Sequence, residues 1–381
     1  MKKILSILLI IGIASACSTN IKYNVTLQQN TYQLAHKITV DRTIKQASID
    51  SLIPINTSHE LLADTSLGSE FINYQGKVTS TYNQQSSDVD TFIPAKLLAH
   101  KRVGDQLVLS YQNQVAILGL PNNNLKAKFE KPKETDETRA STISPNGRYA
   151  FAFDQLWDLT TRQKLDFFTT DKFLNNNFIS ADFSSDSRYL VIVNDLMSDS
   201  VAQMWDLQAK KLEYSWTLGG LGYAMFSPNG KQVLFNIVKY PRSNIRQPQL
   251  TVYDVATGSK VGSIKFASDL TANPILLGDE QIVTGHENGD IHVWSYRNFN
   301  AVHSYHGNSS VMAMTKDAEG RVWCGLDNGK LLVIENGRFS LVHTFKTSVE
   351  HLAVLSDKIA VATFAQPAGD LAMYDIESIS H

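Results

Sequence analysis

One short phrase returns along the chain at nearly regular intervals, and this repetition constrains the fold more than any other feature. An apolar run ends in an aromatic residue followed by Asp at Trp157-Asp158, Trp205-Asp206, Tyr253-Asp254 and Tyr374-Asp375. Related runs end at Trp294 and at Ile334-Glu335, and successive phrases lie roughly 40 to 48 residues apart. A period of this length is typical of a four-stranded antiparallel unit, so the sequence predicts an all-β chain of repeated sheets.

The clearest unit occupies residues 227–264. It opens with Ser227-Pro228-Asn229-Gly230, where the proline presets φ and the Asn-Gly pair supplies the positive φ that closes a hairpin. Apolar runs follow at residues 233–235 and 250–255, and Thr257-Gly258 makes a second turn. The same opening turn stands at residues 144–147, which supports reading each unit as a set of antiparallel hairpins.

The number of units and the closure of the ring follow from the two ends of the repeat. With weaker copies at residues 71–74 and 115–118, we count eight units, with seven as the alternative. Four-stranded units repeated around an axis form a closed β-propeller. The last unit has little room for an outer strand before the C-terminus. We therefore expect a strand within residues 24–43 to pair beside residues 371–376 and complete the last blade.

The chain resembles the WD-repeat β-propeller family. The Trp-Asp and Tyr-Asp pairs and the Ser-Pro-Asn-Gly turns carry the resemblance, and residues 285–294 look like the family's hairpin between the second and third strands. The Gly-His dipeptide that the family places before the first strand of each blade is missing. For that reason the family's buried Asp-His hydrogen-bond network is not carried over to this chain.

The N-terminus reads as an export signal. Met1-Lys2-Lys3 precedes an apolar run of about ten residues, which is too short for a membrane-spanning helix, and small residues follow. Cys17, directly after Ala16, resembles the lipid-attachment site of bacterial lipoproteins; a plain signal peptide is the alternative. By that resemblance residues 1–16 are the signal, 17–23 a tether and 24–381 a single propeller domain. Ser18 then favours an outer-membrane location facing the periplasm.

Composition excludes some classes of protein. The net charge of −2 and the pI near 6.6 disfavour a nucleic-acid binder. Apart from Cys17 the only cysteine is Cys324, which lies in an apolar run and is expected to be a buried structural residue.

The longest connections are predicted to share one face of the propeller, where they would present a recognition surface for an envelope protein partner. The insert at residues 240–249 contains Tyr240, Arg242 and Arg246, residue types that are common binding anchors. Tyr223 and Phe178, near the starts of first strands on the same face, are further candidates.

No catalytic motif is found, and the sequence predicts neither an enzyme nor a cofactor. Four histidines, His286, His292, His303 and His306, are the best metal candidates, yet no further ligand completes a convincing set. Two alternatives to the scaffold interpretation stay open. One is a propeller enzyme, lactonase-like or quinoprotein-like, and the other is a binder of glycans or small ligands, both using the central channel.

Overall fold

The structure is a computed structural model in which every described element is a β-strand. The described residues, to which all structural statements below refer, are 27, 31–44, 47–55, 60–65, 67–82, 96–131, 139–168, 177–196, 199–239, 247–364 and 369–379.

The described strands form eight antiparallel sheets of four strands each, and each sheet is one blade. The count of eight and the all-β class confirm the prediction. Blades 1 to 4 contain β2 (Ile49–Ile55), β3 (Glu60–Thr65), β4 (Gly68–Asn73) and β5 (Val78–Tyr82); β6 (Leu97–Val103), β7 (Gln106–Tyr111), β8 (Gln114–Gly119) and β9 (Asn124–Glu130); β10 (Thr142–Ile143), β11 (Tyr149–Ala152), β12 (Gln155–Asp158) and β13 (Gln163–Lys164); β14 (Phe178–Phe183), β15 (Tyr189–Asp195), β16 (Ser200–Asp206) and β17 (Lys211–Thr217).

The remaining blades follow the same order, except that the first strand of the chain belongs to the last blade. Blades 5 to 8 contain β18 (Leu221–Phe226), β19 (Gln232–Lys239), β20 (Gln247–Asp254) and β21 (Lys260–Lys265); β22 (Ile275–Leu277), β23 (Gln281–Gly285), β24 (Ile291–Ser295) and β25 (Asn300–Tyr305); β26 (Val311–Lys316), β27 (Val322–Leu326), β28 (Lys330–Glu335) and β29 (Arg338–Thr344); β30 (Val349–Leu355), β31 (Lys358–Thr363), β32 (Asp370–Ser378) and β1 (Tyr32–Thr39).

The first strand of each blade lies innermost, where it contacts the first strands of neighbouring blades around a central channel. Antiparallel connectivity then gives the ring two distinct faces. Connections from second to third strands, and from each blade to the next, lie on one face, which we call the long-loop face. Connections from first to second and from third to fourth strands lie on the other, the tight-turn face.

The hydrophobic core is divided among the interfaces between blades. Eight clusters of buried side chains are found, each shared by two adjacent blades. Between blades 3 and 4, for example, the rings of Phe151 and Phe178 meet edge to face at 5.5 Å. Because both faces of a blade are covered, many second and third strands, such as β8, β15, β28 and β31, read as mostly apolar runs rather than as alternating ones.

The acidic residue of the Trp-Asp pair closes a turn on the tight-turn face. The Asp206 carboxylate accepts hydrogen bonds from the backbone N–H groups of Gln208 and Ala209, both at 2.9 Å, and pairs with Arg188 at 2.7 Å. Burial alone would raise the pKa of Asp206, but Arg188 and the two N–H groups outweigh it and lower that pKa. Asp158 holds Arg148 and the next turn in blade 3 in the same way.

The Ser-Pro-Asn-Gly turns fit against their neighbours around the tight-turn face. The Ser144 hydroxyl donates to Asn146 Oδ1 and accepts from the backbone N–H of Tyr149, each at 2.8 Å. Gly147 has a φ of +70°, and a Cβ there would overlap Val103 of blade 2. The backbone N–H of Asn146 in turn donates to Ser187 of blade 4 at 3.1 Å. Glycine is therefore needed for both the turn and the packing.

The N-terminal strand closes the ring, as predicted. β1 pairs antiparallel with β32, from Tyr32 opposite Ser378 to Thr39 opposite Ala372. At its start, the Tyr32 hydroxyl donates to Glu335 of blade 7 at 2.9 Å, and the Arg321 guanidinium lies 4.9 Å from the Tyr32 ring. Blade 8 is thereby joined to blade 7 on the tight-turn side.

Glu70 fastens the segment after β1 to blade 1, and we call this arrangement the latch. The fully buried Glu70 carboxylate pairs with Arg42 at 2.9 Å. It also accepts hydrogen bonds from the Thr43 N–H at 2.6 Å, the Thr43 hydroxyl at 2.8 Å and the Ile44 N–H at 2.8 Å. Burial opposes ionisation, but these donors prevail and lower the pKa of Glu70.

Breaking the latch is expected to destabilise the ring strongly. Glu70→Ala leaves the buried Arg42 without its carboxylate, and such a loss costs about 3–5 kcal/mol. Glu130→Ala is a matched control, because the pair of Glu130 with Lys128 is solvent-exposed and such pairs contribute about 0–1 kcal/mol. Chemical denaturation measures both; equal unfolding midpoints for the two variants would contradict the role of the latch.

Candidate functional site

Several predicted site residues cannot be placed. Tyr240, Arg242 and Arg246, and the lipid-attachment candidate Cys17, lie outside the described residues. The strands on either side of the first three are β19 and β20, the second and third strands of blade 5.

Tyr223 lies in β18 near the long-loop end of the channel, and its side chain is 51% exposed. A ring left this exposed on an innermost strand is accessible to a ligand that reaches the channel. Its placement agrees with the predicted face.

The interpretation of Phe178 as a surface contact needs correction. Its side chain is 1% exposed and packs against Phe151 in the core between blades 3 and 4. The register of β14 against β15 shifts between Phe178 and Ser180, which is the mark of a β-bulge. A bulge redirects the side chains on either side of it, and here Ile179, not Phe178, lines the channel.

The long-loop end of the channel contains a cavity of about 480 Å³. Residues from blades 2 to 6 contribute to it, so no single sequence segment describes it. The surface of the lining is mostly polar, and the lining residues are Leu98, Arg139, Ala140, Ser141, Ile179, Ser180, Ala181, Tyr223, Ala224, Met225, Asn236, Leu270, Thr271, Ala272, Asn273 and Pro274.

Hydrogen bonds to the backbone hold the wall of this cavity. The Ser180 hydroxyl oxygen of blade 4 accepts from the Ala224 N–H of blade 5 at 3.0 Å, and the Ser141 hydroxyl donates to the Phe151 carbonyl at 2.9 Å. By contrast, the buried Asn236 Oδ1 has no hydrogen-bond donor among the described residues. Arg139 is exposed and makes no ion pair within the same part of the chain.

Three titratable groups belong to the innermost strands beside this cavity. Asp182 accepts hydrogen bonds from the N–H groups of Phe226 at 2.7 Å and Phe183 at 2.9 Å, yet burial raises its pKa to about 6. The positive charge of Lys101 partly offsets that rise. The side chain of His100 is exposed to the channel, but the blades around the channel exclude much of the solvent near it. This desolvation, together with the positive charge of Lys101, lowers the pKa of His100 to about 4.

Exposed apolar side chains mark the long-loop face. Leu196 and Phe364 follow the second strands of blades 4 and 8 and are 38% and 53% exposed. The other large apolar side chains that are exposed in the described ranges, apart from Tyr223, are Leu125, Val261 and Val302, which lie in fourth strands at the outer rim. None of the described residues in the connections of the tight-turn face is a large apolar residue exposed in this way.

Three of the four candidate metal-binding histidines meet in blade 6. The ring of His292 lies 5.3 Å from that of His286 and 5.8 Å from that of His306. His303 points elsewhere and packs against Gly337 of blade 7. Asp290 lies between His306, at 3.0 Å, and His292, at 3.8 Å.

Hydrogen bonds within the protein occupy these imidazoles. Trp294 donates to the Thr284 hydroxyl at 2.9 Å, and that hydroxyl lies 2.8 Å from His286 Nε2. His286 Nδ1 lies 2.9 Å from the Ser268 carbonyl. Trp294, Thr284 and His286 thus form a buried hydrogen-bond network in blade 6. The sequence did not predict it, because His286 lies in the turn after the second strand rather than before the first. Within the described ranges, no group of three or more His, Cys, Asp or Glu could hold a metal ion.

Cys324 is fully buried in β27, as predicted. Burial raises the pKa of its thiol, which disfavours the reactive thiolate. The structure thus places it in the core between blades 6 and 7.

The fold is that of WD40-like propellers. The C-terminal WD40 domain of Sif2 superposes with a TM-score of 0.67 at 10% identity, covering 93% of this chain and 100% of that domain. The Dos1 propeller gives 0.66 at 10%, covering 90% and 95%, and the computationally designed Ika8 protein gives 0.65 at 14%, covering 91% and 100%. No protein-family model and no curated protein matches the sequence. At such low identity the likeness shows the fold alone.

The histidine cluster is expected to make stability depend on pH. Burial, together with the neighbouring His286, lowers the pKa of His292 to about 4, from about 6.5 in an unfolded chain. The unfolded state then binds more protons between these values, so stability falls as the pH drops from about 6.5 to 4. Relative to His292→Gln, the wild type should lose up to about 3 kcal/mol.

Urea denaturation of both proteins at pH 7 and pH 4.5 measures this difference. Carboxyl groups that titrate in the same range contribute equally to both and cancel. Parallel loss of stability in the wild type and His292→Gln would show that His292 is not the group responsible.

Proposed function

We propose that this protein is a binding scaffold that presents its long-loop face to a protein partner in the bacterial cell envelope. The observation that carries the proposal is that Leu196 and Phe364, two large apolar side chains left exposed, both follow second strands at the long-loop face of the ring. Apolar and aromatic side chains left in solvent on one face are typical of protein interaction sites.

The lengths of the connections support the same face. Between blades, the chain runs from Tyr82 to Leu97 and from Lys164 to Phe178 without a described strand, whereas Val103 and Gln106 on the tight-turn face are joined by two residues. Long connections on a fixed scaffold are where binding residues usually lie.

The sequence, rather than the structure, supports the envelope setting. A short apolar segment followed by Cys17 resembles a lipoprotein signal. Lipid chains on Cys17 would anchor the ring to the outer membrane on its periplasmic side. In the described ranges no helix is long and apolar enough to cross a membrane.

Replacing apolar residues on the long-loop face is expected to abolish partner capture. Leu196→Asp and Phe364→Asp place a charge where an apolar contact is proposed, and each should reduce crosslinked partner at least tenfold in pull-downs from membranes. Leu125→Asp is the matched control, because Leu125 is 50% exposed but lies on the outer rim. Capture that Leu125→Asp weakens as much as Leu196→Asp, or no defined partner for any form, would contradict the proposal.

The lipid anchor has its own test. Cys17→Ser should move the protein from the membrane fraction to the soluble fraction and remove labelling by radioactive palmitate. Cys324→Ser is the matched control, since Cys324 is the only other cysteine and is buried. Membrane association that survives Cys17→Ser, with no loss of label, would leave the chain without the proposed anchor.

A further inference from the structure

The cavity at the long-loop end of the channel has the size and polarity of a small-molecule site. Its volume of about 480 Å³ falls in the range of ligand pockets, about 300–1,000 Å³. Most ligand pockets are lined chiefly by apolar surface, whereas most of the lining surface here is polar, and the polar side chains in it are Arg139, Ser141, Ser180, Asn236, Thr271 and Asn273. Such a lining suits a ligand with many hydrogen-bonding groups.

Arg139 gives the cavity a preference for a carboxylate. Its guanidinium has no carboxylate partner in the described part of the chain and is exposed at the cavity wall. The fork of a guanidinium matches the two oxygens of a carboxylate. Lys101 and Asp182 lie outside the lining, their opposite charges act on each other, and the Phe183 and Phe226 N–H groups occupy the Asp182 carboxylate. Arg139 is the one charged residue in the described lining, which suits one negative charge better than the two of a phosphate.

Asn236 calls for a hydrogen-bond donor on the same ligand. Its buried Oδ1 has no donor within the described ranges, although it lines the cavity. Ser180 already accepts from Ala224 and keeps its own hydroxyl proton to donate. A ligand with several hydroxyl groups satisfies both, because a hydroxyl donates and accepts.

Tyr223 supplies an apolar surface beside these polar groups. Its ring is half exposed and lines the cavity, and the described lining contains no second aromatic ring. The electron-rich face of an aromatic ring favours C–H groups that carry partial positive charge. Sugars offer such C–H groups on one face of the ring and hydroxyls around its edge.

We propose that this cavity binds a small sugar that carries a carboxylate. Arg139 holds the carboxylate, Asn236 and Ser180 bind hydroxyl groups, and Tyr223 packs on the sugar ring. The lining includes neither Leu196 nor Phe364, so these two residues test the partner surface independently of the site.

Calorimetric titration of the full-length protein in detergent tests the proposal. The probes are glucuronate, galacturonate and N-acetylmuramic acid, compared with glucose, N-acetylglucosamine, glucose 6-phosphate and free glutamate. At least one sugar acid should bind at least tenfold more tightly than its neutral counterpart. Arg139→Gln should remove that preference, and Asn236→Leu and Tyr223→Ala should each weaken sugar-acid binding at least fivefold.

Control variants separate the site from the rest of the molecule. Arg338→Gln removes an exposed arginine from an outer strand and should leave binding unchanged. Leu196→Asp and Phe364→Asp should also bind sugar acids normally, whatever they do to partner capture. Thermal unfolding of each variant establishes that it is folded.

Three results would overturn the proposal. The first is that no sugar acid binds at millimolar concentration. The second is that binding survives Arg139→Gln unchanged in a folded variant. The third is that glucose 6-phosphate or glutamate binds more tightly than every sugar acid, which would assign the cavity to another class of ligand.

Discussion

Closure of the ring is the constraint on which the rest of the structure depends. Each apolar cluster is shared by two blades, so an open ring would leave two blades with an uncovered face. β1 prevents this by completing blade 8, and the Arg42–Glu70 latch then fastens the same segment to blade 1. The two ends of the chain are therefore part of one interface, and stability is expected to be cooperative around the whole circle.

The closed ring also fixes the position of the candidate site. Ser180 and Asp182 of blade 4 accept hydrogen bonds from backbone N–H groups of blade 5, which ties neighbouring inner strands together at the channel wall. The bulge at the start of β14 turns Ile179 toward the channel and Phe178 into the core. A site assembled from five blades in this way is preorganised, because none of its walls can move independently.

Local sequence patterns predicted the features that repeat in every blade. They did not predict the features that depend on contacts between segments far apart in the sequence. The eight blades and the closing strand follow from periodicity and turn chemistry, which a single segment carries. The direction of Phe178 depends on a bulge that has no turn signal in the sequence. Arg139 and Asn236 stand in different blades, and only the curvature of the ring brings them to one cavity. The buried position of His286 could not be predicted, because its partner, the Ser268 carbonyl, is a backbone atom.

The place where the chain enters the ring has a consequence for orientation at a membrane. Tyr32 begins β1 on the tight-turn side, beside Arg321 in the turn between the first two strands of blade 7. If Cys17 carries the proposed lipid, the stretch from Cys17 to Leu27, which packs against the core between blades 6 and 7, could extend no more than about 35 Å. A tether of this length joined to the tight-turn side would hold that side toward the bilayer. The long-loop end of the channel would then face the periplasm. A partner or a soluble sugar would then approach from the side opposite the membrane.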